Sequence, residues 1–232
     1  MAPRLQDLHA LRGHFRDPAA GHLPRPGGRL IGSPAVAVST RRREERREAR
    51  LGRLLGAALE ILADRGYYET SVDQVVASAR TSKTAFYEFF DSKEDCVREL
   101  LAREGGALIH EVTSEAAQGA GHRDRLRRGI RAFVHSCAER RTLARVLVVE
   151  SVGVSPRIEE VRHTLQGRFA AVVEEEVRRA AQDGDELYAA VDPVVFGRAV
   201  VGAVSEATGH FLAQPQADPE ALAASLCRIF AP

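Results

Sequence analysis

Thr70-Ser71-Val72-Asp73-Gln74-Val75-Val76-Ala77-Ser78-Ala79-Arg80-Thr81-Ser82-Lys83-Thr84-Ala85-Phe86-Tyr87-Glu88-Phe89-Phe90 is the stretch that decides the fold. Ser71 and Gln74 have the spacing of a capping box, in which each side chain satisfies the other residue's backbone N–H, so a helix starts at Val72. Val72, Val75, Val76 and Ala79 form its apolar face. A break follows at Arg80-Thr81, and Ser82 can cap a second helix carrying Phe86, Phe89 and Phe90. Two short capped helices joined by about three residues have the layout of a helix-turn-helix.

The second helix is the candidate reader of DNA. Its first turn presents Ser82, Lys83, Thr84 and Ala85, short or flexible enough to reach base edges in a major groove. Tyr87 follows Lys83 by four residues, so its hydroxyl can reach a backbone phosphate from the same side of the helix. Lys93 falls in the first turn of the next helix, where a cation opposes the macrodipole and needs a partner such as phosphate.

Upstream, Leu51, Leu54, Leu55, Ala58, Leu59 and Leu62 recur as the stripe of an amphipathic helix, which Gly66 ends. Order is expected from about Arg41. The helix opens on Arg41-Arg42-Arg43-Glu44-Glu45-Arg46-Arg47-Glu48, for which two readings stand. It is a solvated, ion-paired helix end, or Arg42, Arg43 or Arg46 reaches a phosphate or the minor groove. Residues 1–40 are rich in Pro, Gly and Arg without apolar period, and are expected to form a mobile extension. A mistaken translation start and a DNA-contacting arm, which would bring Arg25 and Arg29 to phosphate, stand beside that reading.

Beyond residue 95 the apolar spacing is helical throughout. Stripes run through Leu100–Val112, Leu126–Cys137, a short Leu143–Leu147 and a long Ile158–Val177, the last ending at Asp183-Gly184-Asp185. Asp192-Pro193 and Asp218-Pro219 each open a further helix, with Asp as N-cap and Pro at the first helical position. The expected fold is all-α. A three-helix DNA-binding domain over residues 41–95 precedes a helical ligand-binding and dimerisation domain over residues 96–232.

Residues 51–95, with Gly66-Tyr67, Thr70-Ser71, Ser82, Phe86-Tyr87, Phe90 and Ser92-Lys93-Glu94, resemble the TetR family of transcriptional regulators. The resemblance implies DNA contacts at Lys83, Thr84, Tyr87 and Lys93, and a phosphate contact at Thr70. The candidate DNA-binding set is therefore Arg43, Arg46, Thr70, Ser71, Ser82, Lys83, Thr84, Tyr87 and Lys93. The chain departs from the family pattern at Arg80 and Thr81, where Gly and Val are usual in the turn. It also departs at Ala85, often Thr, and at Phe89, often His or Tyr. Arg80 either takes a strained turn conformation or changes the turn.

More weakly, Val146–Ser151 and Asp192–Leu212 resemble segments of actinobacterial members. That likeness implies a homodimer through the helices near 192–213 and 218–230, where Ala199, Gly202, Ala203, Ser205 and Ala207 allow close approach. Two-fold symmetry then predicts a palindromic operator on double-stranded DNA. It also implies a small-molecule effector held among the middle helices. Phe133, Cys137, Val146, Glu150, His163, Gln166 and Phe169 are the candidate lining as a set, while any one of them taken singly reads first as an ordinary core or interface residue.

Composition bounds these readings. The 232 residues are 44% hydrophobic and 28% charged, within the range of soluble globular chains. Lys and Arg number 16 against 11 Asp and Glu in residues 1–93, and 17 against 21 beyond, a modest basic tilt toward the reading helix. No apolar run is long enough to span a bilayer and no secretory pattern opens the chain, so no membrane association and a cytoplasmic location are expected. Cys96, Cys137 and Cys227 are far apart and sit in apolar stripes, which suits neither a disulfide framework nor a metal site. No phosphate loop, metal spacing or nucleophile–base arrangement is present, so an enzyme and a cofactor are not expected. The reading is a repressor that leaves its operator when an apolar or amphipathic ligand binds. A regulator acting mainly by protein contact is the alternative, with a helical enzyme whose site escapes recognition behind it.

Overall fold

The computed structural model describes residues 34–232, with side chains from Arg41 onward. The expected extension over the preceding residues, with Arg25 and Arg29, lies outside the described residues except for its last turns. Those turns are already helix. The first helix, α1, spans Pro34–Glu69 and so begins before the Arg41 start read from the sequence. Residues 44–232 form one compact unit.

Gly66 interrupts α1 with φ 76° and ψ 175°, a conformation open to glycine, as the sequence indicated for the end of the apolar stripe. Then follow α2 (Val72–Ser78), α3 (Lys83–Tyr87) and α4 (Lys93–Ala116). Leu54, Leu55, Ala58 and Leu62 of α1 meet Val75, Val76, Phe86, Phe90 and the first half of α4 in a single buried cluster. The core of this first part is the one its apolar stripes specify.

The second half of α4 enters a different cluster, so the helix runs unbroken across the boundary expected near residue 95. There Leu108 and Val112 pack on α5 (His122–Glu139), α9 (Pro193–Leu212) and α10 (Pro219–Phe230). Between these lie α6 (Arg141–Arg145), a π-helical turn (Val146–Glu150), α7 (Pro156–Gln182) and the short α8 (Glu186–Ala189). The π turn and α8 are not legible in the apolar spacing. The predicted caps are present. Asp192 Oδ1 accepts from the N–H groups of Val194 and Val195 at 2.9 and 3.0 Å, and Asp218 Oδ1 from Glu220 N at 2.9 Å. Helices α7 and α9 pack so closely that a Cβ at Gly197 would lie 2.7 Å from the carbonyl oxygen of Ala170. No strand occurs among the described residues, and none of their helices is long and apolar enough to cross a membrane. The fold is all-α, a helix-turn-helix unit followed by a larger helical body.

Candidate nucleic-acid interface and ligand cavity

The capping box forms as its spacing predicts. Ser71 N donates to Gln74 Oε1 at 2.7 Å, and Gln74 N donates to Ser71 Oγ at 3.3 Å. Ser82 caps α3 by accepting from Ala85 N at 3.1 Å. Between the helices Thr81 N donates to Val76 O at 2.9 Å and Arg80 N to Ala77 O at 3.2 Å. This bond pair closes a helix C-terminus around a left-handed residue, and that residue is Arg80 at φ 50°. Of the two options left by the sequence, Arg80 takes the strained conformation and the turn keeps its geometry. The cost is on the order of 1 kcal/mol.

Five residues make up α3, and Phe86 anchors them at 1% exposure, its ring 5.1 Å from that of Phe90. Ser82, Lys83, Thr84 and Tyr87 share the solvent side, Tyr87 being 54% exposed. Ala85 was expected among the presented residues but is buried, so it packs rather than reads. The Lys83 ammonium rests 2.8 Å from Asp73 Oδ1 of α2, and the hydrogen bond to that carboxylate pushes its pKa up. Arg50 of α1 pairs with Glu88 just past α3 at 2.9 Å. Phe89, where the family often has a polar group, lies under the Arg47 guanidinium at 4.9 Å. A cation–π contact thus stands where a phosphate contact is usual.

The other sequence candidates fall into two groups. Arg43 and Arg46 are exposed on α1. Thr70 is 3% exposed and its hydroxyl donates to Gly66 O at 2.7 Å, which closes the α1–α2 corner. Ser71 is exposed with its hydroxyl engaged in the capping box. Lys93 donates to the carbonyls of Tyr67 and Thr70, both at 2.7 Å, with its ammonium 4.1 Å from the Tyr67 ring centroid. The partner its position demanded is supplied from inside the protein, and desolvation lowers its pKa.

The larger helical body holds a cavity of about 390 Å³ between α4, α5, α7 and α9. Its inner end is closed by Phe133 and Phe169, whose rings meet edge-on at 5.6 Å. Its walls are aliphatic, with Val112, Ile130, Val173 and Val204 among them. Charge is confined to the outer end, at Arg125, Glu176 and Arg179. A smaller chamber of about 70 Å³ lies beyond the phenylalanines, toward the first turns of α7, and Gln166 lines it.

Phe133, Phe169 and Gln166 of the expected lining are thus in place, and four candidates are not. Cys137 and Val146 are buried in the packed clusters, Val146 in the one it shares with α1 and α4. Glu150 pairs with Arg145 at 2.9 Å, and its other oxygen lies 3.2 Å from where a Cβ on Gly66 would stand. His163 has a side chain 72% exposed, beside Glu159. Each of the four faces another element or solvent. Arg125, Glu176 and Arg179 were missed because charged residues at these spacings read as solvated surface.

At the outer end Glu176 is shared. Its Oε1 lies 2.6 Å from His122 Nδ1 and accepts from Arg125 at 3.0 Å, while His122 Nε2 lies 2.8 Å from Asp183 Oδ2. Asp183 first, then Glu176, raise the His122 pKa above its ordinary value. A raised folded pKa means stabilisation that is complete below the unfolded value of about 6.5 and lost as pH rises through the folded value. The thermal midpoint is therefore expected to fall from about pH 6.5 upward, and His122→Gln to flatten that slope. Melting curves across pH for both proteins check this, and parallel slopes would remove His122 as the cause. Burial pushes the Cys96 and Cys137 thiols up to about 12, and raises that of Cys227, in keeping with small buried hydrophobes.

Comparison with known proteins agrees with both parts. The family described as bacterial regulatory proteins, tetR family, matches residues 54–100, and the tetracyclin repressor-like C-terminal domain matches residues 119–231. The HTH-type transcriptional activator FasR of Mycolicibacterium smegmatis is 34% identical over 87 residues, 38% of this chain. The chain spans only 40% of the length of that curated relative. Among solved structures, the fatty acid degradation regulator FadR of Bacillus halodurans superposes with a TM-score of 0.71 at 16% identity, covering 78% of this chain and 97% of that one. FadR of Bacillus subtilis in complex with stearoyl-CoA gives 0.70 at 19%, covering 77% and 96%. A TetR-like regulator from Rhodococcus sp. RHA1 gives 0.64 at 23%, covering 78% and 93%. At these identities the structures speak to the fold, while the matched family domains speak to kinship. With a capped helix-turn-helix inside one matched segment and the family's C-terminal domain over the other, the chain belongs to the TetR family of DNA-binding transcriptional regulators.

Proposed function

We propose that the protein is a homodimeric repressor that binds a palindromic operator through Ser82–Tyr87 and leaves it when a long-chain acyl ligand fills the cavity. The observation that carries the ligand class is the cavity itself, aliphatic along its length with Arg125 and Arg179 at its outer end. A methylene displaces about as much volume as a water, roughly 30 Å³, so the cavity accommodates about 13 of them. Arg125 pairs with Glu176 at 3.0 Å and Arg179 with Glu175 at 2.8 Å, each keeping further N–H groups for an anionic head, while the valines suit a chain. The stearoyl-CoA bound by the Bacillus subtilis structure supports the same class. Residues 41–95 act as the DNA-binding domain and 96–232 as the ligand-binding and dimerisation domain. The subunits pair through 192–213 and 218–230. In support, Val195 and Ile229 are each 66% exposed and Gly202 has nothing within 4 Å of a would-be Cβ. Such uncovered apolar and small surface suits a partner helix.

Ligand occupancy releases DNA only by favouring a conformation whose two reading helices are wrongly spaced. Selection of bound duplexes from random sequence is expected to yield a palindrome, and sedimentation a dimer. Palmitoyl-CoA is expected to weaken binding of the selected duplex at least about ten-fold, which corresponds to 1.4 kcal/mol of coupling. A monomer bound to asymmetric sites, or a duplex no acyl thioester displaces, overturns the proposal. The relative described as an activator favours a second reading, in which the bound dimer raises transcription. A promoter–reporter fusion with and without the protein separates the two.

A further inference from the structure

Arg47 stands four residues before Leu51 and seven before Leu54, so it extends the core-facing stripe of α1 by one turn. That face of α1 packs on the helix-turn-helix, and Arg47 carries the contact on to the end of α3. Its guanidinium lies over the Phe89 ring, 4.9 Å from the centroid. Phe89 is itself packed on the first core cluster, 6.1 Å from the ring of the buried Phe90. The ring is therefore held in place, and so is the charge above it.

Two other cations flanking α3 are matched by carboxylates. Lys83 pairs with Asp73 at 2.8 Å, and Arg50, one turn beyond Arg47 on α1, pairs with Glu88 at 2.9 Å. Each pair leaves little net charge to act on a duplex. Arg47 is exposed, and among the described residues its side chain makes neither an ion pair nor a hydrogen bond. A ring attracts a guanidinium through its quadrupole without cancelling the charge, and offers the N–H groups no oxygen. Arg47 thus keeps a full charge and unused donors at the end of the reading helix, over a residue two positions past the exposed Tyr87.

We propose that Arg47 is a DNA-backbone contact, held over the Phe89 ring so that its N–H groups meet a phosphate beside the groove that α3 reads. Phe89 is the positioning residue, and the ligand is a phosphodiester of double-stranded DNA. The inference rests on α3 as the reading helix, and on neither the dimer nor the acyl ligand. A reading helix enters the major groove by its first turn, so its last residues and whatever packs on them stand at the groove's edge, where the backbone runs. A guanidinium fixed there in advance loses less freedom on binding than an untethered surface arginine does.

Fluorescence anisotropy of the full chain tests this with two duplexes, the selected one and a scrambled one, between about 50 and 200 mM salt. Arg47→Ala is expected to weaken both by the same factor, about five- to twenty-fold, because a phosphate contact carries no sequence information. Its plot of log affinity against log salt is expected to be shallower by about 0.9 for each bound subunit. Arg168→Ala removes one exposed charge from α7 and is the control, expected to do neither. Phe89→Leu and Phe89→Met remove the ring and keep apolar bulk, and each is expected to cost about two- to five-fold. Combined with Arg47→Ala they are expected to cost nothing further, a coupling that packing by Phe89 alone does not produce. Unchanged affinity and slope in Arg47→Ala overturn the contact, as does a loss confined to the selected duplex, which would make Arg47 a reader of bases. Additive losses overturn the positioning role of Phe89. A wild type that binds neither duplex removes α3 as the reader and this contact with it.

Discussion

Lys83→Ala combined with Thr84→Ala is expected to abolish sequence-specific DNA binding while leaving the protein folded. Both side chains are exposed on the first turn of α3, behind a Ser82 cap that fixes where the turn begins. Each good base contact contributes about 1–3 kcal/mol of discrimination, so losing two weakens operator binding by about thirty-fold or more. Removing Lys83 also leaves the Asp73 carboxylate without its 2.8 Å partner, facing the duplex and repelling phosphate. Stability is expected to change little, because both members of that pair are more than half exposed and water screens their attraction. Fluorescence anisotropy against the selected duplex and a scrambled one reads the effect, with a thermal melt as the folding control. Undiminished preference for the selected duplex would sink the assignment of α3 as the reader.

Phe86→Ala is expected to cost about 3–5 kcal/mol in the first core cluster and to remove DNA binding altogether. A five-residue helix has no stability of its own, since isolated helices shorter than about 12 residues are marginal in water. What holds α3 is the Phe86 ring, 1% exposed against Phe90, together with the Ser82 cap and the Arg50–Glu88 pair beside it. Neither polar contact can replace a buried aromatic. The cavity lies among α4, α5, α7 and α9, away from α3, so acyl binding is expected to survive. Denaturant titration followed by circular dichroism, with calorimetry for ligand and anisotropy for DNA, separates the two outcomes. Retained operator affinity would show that α3 is held by something other than this ring.

Local rules made the reading unit legible. Ser71 with Gln74, Ser82 alone, and Asp with Pro at 192–193 and 218–219 each act within four residues, so their spacing in the chain is their spacing in the fold. The cavity was less legible for a reason visible at Glu150. It does share a face with Val146, as a helical period predicts, but that face meets α1 and Gly66 rather than a ligand. Periodicity tells which residues look the same way and not what they look at. His163 and Arg162 make the same point in opposite directions, since neighbours on α7 end up in solvent and at the wall of the small chamber. Lys93 shows a third limit. The demand for a partner at a helix N-terminus was sound, yet two carbonyls 23 and 26 residues away met it.

The π-helical turn at Val146–Glu150 carries a burden of its own. A π turn holds one residue more than an α turn, so a single deletion within it would convert it to an α turn and turn the side chains inside it by about 100°. Val146 would lose its seat among α1 and α4, or Leu147 and Val148 would lose theirs at the small chamber. Chain length here is therefore as constrained as residue type, in contrast to the exposed 213–216 connection before α10, where insertions meet open solvent.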